Sequence, residues 1–161
     1  LSVVKSDILN EIDALQIEYL RALDRRDWNG WLGCFDSEGS YICISKENVE
    51  QSLPLALMMD DCYARLQDRV TFITEVWAGT FEDYSTKHFV QRLECTETGP
   101  RQYAVASNFM LLYTARSGKS ELLAAGEYKD DVILGPDGPR FRNKQAVLDT
   151  VTMPRYLVYP V

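Results

Sequence analysis

General acid/base chemistry in this chain has to pass through His88, the only histidine among its 161 residues. Lys87-His88-Phe89-Val90 reads as strand, and its partners would be Asp60 or Asp61 from a helix and Tyr103 or Tyr128 from neighbouring strands. An imidazole, a carboxylate and a phenol facing one pocket can carry a proton onto or off a substrate, because burial moves their pKa values toward neutrality. The other role open to His88 is a hydrogen bond within the sheet or at a subunit contact.

Other chemistries find fewer residues. A Rieske cluster takes two Cys and two His, and a mononuclear non-haem iron takes two His and a carboxylate, so one histidine builds neither. Cys34, Cys43, Cys62 and Cys95 are scattered through core-like segments without a C-x-x-C pair. They read as reduced thiols of a cytoplasmic protein rather than a disulfide framework or a zinc site. Gly118-Lys119-Ser120 looks like the end of a phosphate loop, but Tyr113 stands where that loop needs glycine and the triplet falls in a hairpin turn. No G-x-S-x-G elbow is present.

The elements that must position these residues follow from periodicity. Ile8, Ile12, Leu15, Tyr19 and Leu23 line one face of an amphipathic helix, with Ser6 as its expected N-cap and Glu18, Arg21 and Asp24 on a solvated face. Asp27 can cap a short helix whose Trp28, Trp31, Leu32 and Phe35 plug the core, and Tyr41-Ile42-Cys43-Ile44 reads as strand. After a loop from 45 to 52, the stripe Leu55, Met59, Cys62, Leu66, Val70, Ile73 and Trp77 predicts one long helix beginning at Pro54. Residues 87–95, 102–115, 121–134 and 140–150 read as strands joined by tight turns, hence a curled antiparallel sheet. Strand 102–115 is apolar on both faces, which points to oligomerisation, and the tail 153–161 is too apolar for a free end.

Composition sets the outer limits. A chain of this length suits one domain, residues 1–161, and 46% hydrophobic with 25% charged residues is ordinary globular content. Twenty-four Asp plus Glu against 17 Lys plus Arg leave a net charge of -7, with no dense basic cluster, which disfavours nucleic acid and anionic membrane surfaces. The longest apolar run, 53–59, is far short of a membrane span, and residues 1–7 lack the apolar stretch of a secretory signal.

The order of long helix, tight turn, half-helix and strand between Glu18 and Tyr41 resembles the opening of the cone-shaped α+β fold of nuclear transport factor 2-like proteins. The resemblance sharpens with Leu23-Asp24-x-Arg26-x-Trp28-x-x-Trp31, Leu66-x-x-Arg69-Val70, Lys87-His88-Phe89-Val90, Gly126-x-Tyr128-x-Asp130 and Phe141-x-x-Lys144-x-x-Val147-Leu148-Asp149. Five such pieces in this order resemble the small (β) subunit of aromatic-ring-hydroxylating dioxygenases over nearly the whole chain. Where many family members carry Arg before the strand histidine and Asn after it, this chain has Lys87 and then Gln91-Arg92.

That resemblance implies a partner. It places the Rieske [2Fe-2S] cluster and the catalytic Fe(II) in a large α subunit, leaving no cofactor here. It further implies an α3β3 assembly on a trimer of this chain, and electrons delivered by a reductase, sometimes through a ferredoxin. The run Glu47-Asn48-Val49-Glu50-Gln51-x-Leu53-Pro54-Leu55 is similar to small subunits serving aromatic acids such as salicylate or anthranilate. Expected subunit contacts are Trp77, Phe81 and Tyr84 in the aromatic loop, His88, and Tyr156 and Tyr159 in the tail. Beside this reading stand a free-standing isomerase or dehydratase using His88, and a small-ligand carrier or interaction domain.

Overall fold

The computed structural model describes residues 4–161. Helix α1 (Ser6–Arg25) carries the expected stripe, with Ile12, Leu15, Tyr19 and Leu23 buried. The chain enters α1 through extended Lys5 without a side-chain cap, so the expected Ser6 cap is not formed. α1 ends on Arg26 in the left-handed conformation at φ 58, an unfavourable place for a side chain larger than Gly or Asn. Asp27 then caps α2 (Trp28–Gly33), its carboxylate accepting the Gly30 amide at 2.9 Å.

Strand β1 (Phe35–Ser45) runs through the expected Tyr41–Ile44 segment. The next stretch departs from the periodic reading. The loop 45–52 contains a short helix, α3 (Lys46–Glu50), capped by Ser45, and the start of the expected long helix is instead strand β2 (Ala56–Asp60). β2 pairs antiparallel with β1, Asp60 opposite Tyr41 and Met58 opposite Cys43. Met58 and Asp60 are buried whereas Leu57 and Met59 are exposed, a two-residue alternation that the unbranched Leu and Met disguise as helix. Only the second half is helical, α4 (Tyr63–Thr71), continued by a π-helical turn over Phe72–Val76. Leu66 and Ile73 still face the core.

The four expected strands are β3 (Ser85–Gly99), β4 (Gln102–Thr114), β5 (Ser120–Gly135) and β6 (Gly138–Leu148). They form one six-stranded sheet ordered β2-β1-β6-β5-β4-β3, antiparallel except for β1 against β6. The helices cover its inner face, and the buried apolar residues form one cluster. On β4, Tyr103, Val105, Phe109, Leu111 and Tyr113 point into that cluster. Its other face is apolar too: Met110 lies opposite exposed Phe89, and Leu112 lies opposite exposed Leu122.

The tail returns to the core. Val158, Tyr159 and Val161 are buried, and the Tyr19 and Tyr41 hydroxyls donate to the Val161 carbonyl at 2.8 and 3.3 Å. Of the cysteines, Cys34 and Cys43 are buried as expected, but Cys62 is exposed and Cys95 half-buried; all four are free thiols. Among the described residues no helix is long and apolar enough to cross a membrane.

Gly126 sits where β5 crosses close to β6: a Cβ there would collide with the Val147 carbonyl oxygen. Backbone cannot retreat as a side chain can, so Gly126→Ala is expected to cost about 2 kcal/mol or more of stability. Urea denaturation of the variant measures this; an unchanged midpoint would show that β6 yields.

Candidate functional site

Arg26 explains its own unfavourable backbone. From the end of α1 its Nη1 donates to the Leu23 carbonyl at 3.0 Å and to Thr86 Oγ1 at 3.3 Å, while Nη2 donates to the Tyr84 carbonyl at 2.7 Å. The guanidinium plane lies 3.5 Å from the Tyr159 ring centroid, so one side chain fastens α1 to β3 and to the tail. Tyr159 stacks on Trp28, meets Phe81 and Tyr84 edge-on, and donates its hydroxyl to Asp83 at 2.7 Å.

His88 lies beside this cluster, and its carboxylate partner is Asp24. Nδ1 is 2.6 Å from Asp24 Oδ1, so Nδ1 carries the proton; the His88 amide and the Thr86 hydroxyl add bonds to the same carboxylate at 3.2 and 3.0 Å. Asp24 was expected on the solvated face of α1, yet only 14% of its side chain is exposed. Burial raises its pKa, but the bond and charge of His88 and the Thr86 bond outweigh burial, leaving it below the ordinary 3.8.

The acid/base set expected around His88 is not assembled. Asp60 takes a two-pronged bond from Arg69, both contacts 2.9 Å, and Asp61 pairs with Arg65 at 3.7 Å. Tyr128 stacks on Phe109 at 4.3 Å between centroids, and Tyr103 is buried in the core. Among the described residues none of these four bonds to His88.

A second polar group escaped the sequence reading. Lys144 on β6 is fully buried, its Nζ donating to Asp130 Oδ2 at 2.9 Å and to Gln16 Oε1 at 3.1 Å. The rings of Tyr128, Phe141 and Tyr19 surround the ammonium at 3.7, 4.4 and 4.5 Å. Burial pushes the Asp130 carboxyl up to about 6 despite Lys144 and pushes the Lys144 ammonium down, since each charge has left water. Between this group and the surface lies a cavity of about 380 Å³ under α1, walled by Ile12, Val90, Val105, Val132 and Phe141. Its solvent side carries exposed Ile17 and the Asp13–Arg92 ion pair, with contacts of 2.7 and 3.1 Å.

The residues expected at subunit contacts divide. Tyr84 and Tyr159 are buried within the chain, and the His88 side chain is 1% exposed. Trp77 and Phe81 are half-buried against the core, and Tyr156 stands free at 87% exposure. Further exposed apolar residues are Phe89, Leu93, Met110 and Leu122 on the outer sheet face, and Leu55, Leu57, Met59, Phe72 and Val76 around β2 and the π turn. Among the described residues no three His, Cys, Asp or Glu side chains gather as a metal-ligand group, and one histidine cannot supply the two that a Rieske cluster or a mononuclear iron takes.

The family sequence model described as "Ring hydroxylating beta subunit" matches residues 20–155, from the C-terminal third of α1 to the tail. The chain belongs to the family of ring-hydroxylating dioxygenase β subunits. It is 28% identical over 151 residues to the anthranilate 1,2-dioxygenase small subunit of Burkholderia cepacia, covering 94% of this chain and 92% of that protein. It is 25% identical over 157 residues to the β 2 subunit of the terminal oxygenase component of terephthalate 1,2-dioxygenase from Comamonas sp., covering 96% and 100%. A crystal structure of the β subunit assigned to an aromatic-ring-hydroxylating dioxygenase of Novosphingobium aromaticivorans superposes with a TM-score of 0.82 at 24% identity, covering 93% and 94%. The fold is accordingly the nuclear transport factor 2-like α+β cone shared with ketosteroid isomerase-like proteins.

Two predictions follow from these groups. Because the folded pKa of Asp24 is depressed, its contribution to stability is complete above pH 3.8 and is lost as pH falls through the folded value. Asp24→Asn should therefore cost about 2 kcal/mol at pH 7, with the difference from wild type shrinking in acid; a pH-independent difference in urea titrations would contradict this. Lys144→Met should cost about 3 kcal/mol or more by stranding Asp130, whereas Lys144→Met with Asp130→Leu should recover most of that loss. A double-mutant cycle by chemical denaturation reads both values, and additive losses would show that the two charges do not depend on each other.

Proposed function

We propose that this chain is the assembling subunit of an aromatic-ring hydroxylating dioxygenase, its activity exercised through a large α subunit that holds the Rieske cluster and the catalytic iron. The observation that carries this reading is the family match from residue 20 to 155. The chain's own architecture agrees with it: the only histidine is tied to Asp24 beneath the surface, and apolar side chains stand uncovered on the outer sheet face and around β2. An α3β3 complex built on a trimer of this chain, within the cytoplasm, is the assembly proposed. Electrons would reach the α subunit from a reductase, directly or through a ferredoxin.

For the ring substrate we favour an aromatic acid of the anthranilate or salicylate kind. The support is the run from Glu47 to Leu55, and the identity to a small subunit named for anthranilate. That run forms α3 and the approach to β2, with Leu55 and Leu57 exposed at the sheet edge, so it lies where a neighbouring subunit can read it.

Of the expected contact residues, Tyr156 remains the direct candidate, together with Trp77 and Phe81; Tyr84, His88 and Tyr159 would act by holding the loop and tail in place. Affinity purification of this chain from cells expressing ring-degrading enzymes should recover a larger iron-sulfur polypeptide in equal amount. Recovery of this chain without such a partner would contradict the reading. Phe89→Asp with Met110→Glu should leave the circular dichroism spectrum unchanged while reducing the complex at least tenfold on size-exclusion chromatography, since buried apolar anchors carry most interface energy. An intact complex would remove the outer sheet face from the interface.

A further inference from the structure

The cavity under α1 is lined at its inner end by Gln16 and Asp130, and each keeps one polar atom, closed off just behind the wall, without a partner among the described residues. Lys144 Nζ takes up Gln16 Oε1 and Asp130 Oδ2, leaving Gln16 Nε2 a buried donor without an acceptor and Asp130 Oδ1 a buried acceptor without a donor. Both residues line the cavity and are more than nine-tenths buried. Leaving such atoms unsatisfied costs stability, so the arrangement favours an occupant that satisfies them.

One ammonium fixes both atoms, which makes them a matched donor and acceptor. A single hydroxyl answers both, accepting from Gln16 Nε2 and donating to Asp130 Oδ1. A carboxylate brings no proton and would face the Asp130 oxygen; an ammonium would set a second cation against Gln16 Nε2, a donor, with Lys144 bonded just behind. The occupant is therefore neutral. Its remaining body must suit a wall of Ile12, Val90, Val105, Val132 and Phe141, apolar except for Ser107 among them, and a volume of about 380 Å³. Benzene occupies a cavity of about 150 Å³, so one substituted ring fits. A phenolic O–H is more acidic than an aliphatic one and makes the stronger bond to a carboxylate.

We propose that this cavity is a binding site for a small neutral phenol, oriented by Gln16 and Asp130 and entering past Ile17 and the Asp13–Arg92 pair. Neither polar atom is open to solvent in the unliganded chain, so a rotamer step of the Gln16 amide accompanies entry. Nothing in this site depends on assembly with a large subunit, and it is distinct from the aromatic-acid substrate proposed for the complex.

The test uses the purified full-length chain, titrated with phenol, toluene and benzoate and followed by calorimetry and ligand-observed NMR. Phenol should bind saturably, toluene roughly tenfold more weakly for want of the hydrogen bonds, and benzoate not at all. Gln16→Leu should weaken phenol by roughly tenfold and leave toluene unchanged. Because Gln16 is buried and that variant can disturb the fold, Ile17→Trp serves as a second variant: at an exposed position it should block phenol entry without lowering the melting temperature. Equal binding of phenol and toluene, tight benzoate binding, or no saturable phenol binding would overturn the proposal. A crystal grown with phenol that shows only water at Gln16 and Asp130 would also overturn it.

Discussion

The interior of this cone is organised around one ammonium that has no access to water. Lys144 is buried completely, and removing such a charge from solvent costs several kcal/mol unless its surroundings replace what water supplied. Here the replacement comes from three elements at once. Asp130 on β5 and Gln16 on α1 accept hydrogen bonds, and the faces of Tyr19, Tyr128 and Phe141 supply negative potential on the remaining sides. Each partner is useful only at its present distance, so the charge fixes how α1 lies on β5 and β6.

The same logic of polar fastening recurs at the other end of α1. Arg26 accepts a left-handed backbone and in return joins the helix terminus to β3 and the tail, while Asp24 holds His88 and Thr86. The tail then presents Tyr159 to the guanidinium and its last backbone groups to Tyr19 and Tyr41. Tyr19 thus touches both systems, one through its ring and the other through its hydroxyl. The inner face of the sheet is committed to this network, and what remains for partners is the outer face, the β2 edge and exposed Tyr156.

Much of the scaffold was legible in the chain. α1, the Asp27 cap and the four long strands follow from period and turn chemistry, and the motif pieces from Leu23 to Asp149 led to the family that the comparisons show. The failure at residues 55–60 has a physical cause: Leu and Met suit helices, their spacing mimicked a stripe, and pairing with β1 overrode both. The polar sites were harder. Asp24 sits one turn from other charged residues on α1, and nothing local distinguishes it from them; only β3 laid across the helix end makes it the partner of His88. Lys144 and Gln16 are far apart in sequence, so their bond could not be read from spacing. The one available signal was a lysine at an inward position between Phe141 and Ala146, inside a strand otherwise apolar on that face.

The charge state of the Asp130–Lys144 pair tests most directly whether a buried ion pair holds the cone together. Carbon-13 NMR of the Asp130 carboxyl, followed through a pH titration alongside the Lys144 ζ-nitrogen, measures it. The structure predicts a carboxyl midpoint near 6, raised by burial against the attraction of Lys144, and a Lys144 midpoint lowered by the same burial below that of an exposed lysine. A Lys144 amine already neutral at pH 7, or an Asp130 carboxyl still protonated there, would mean that a neutral hydrogen bond fills the role assigned to the ion pair.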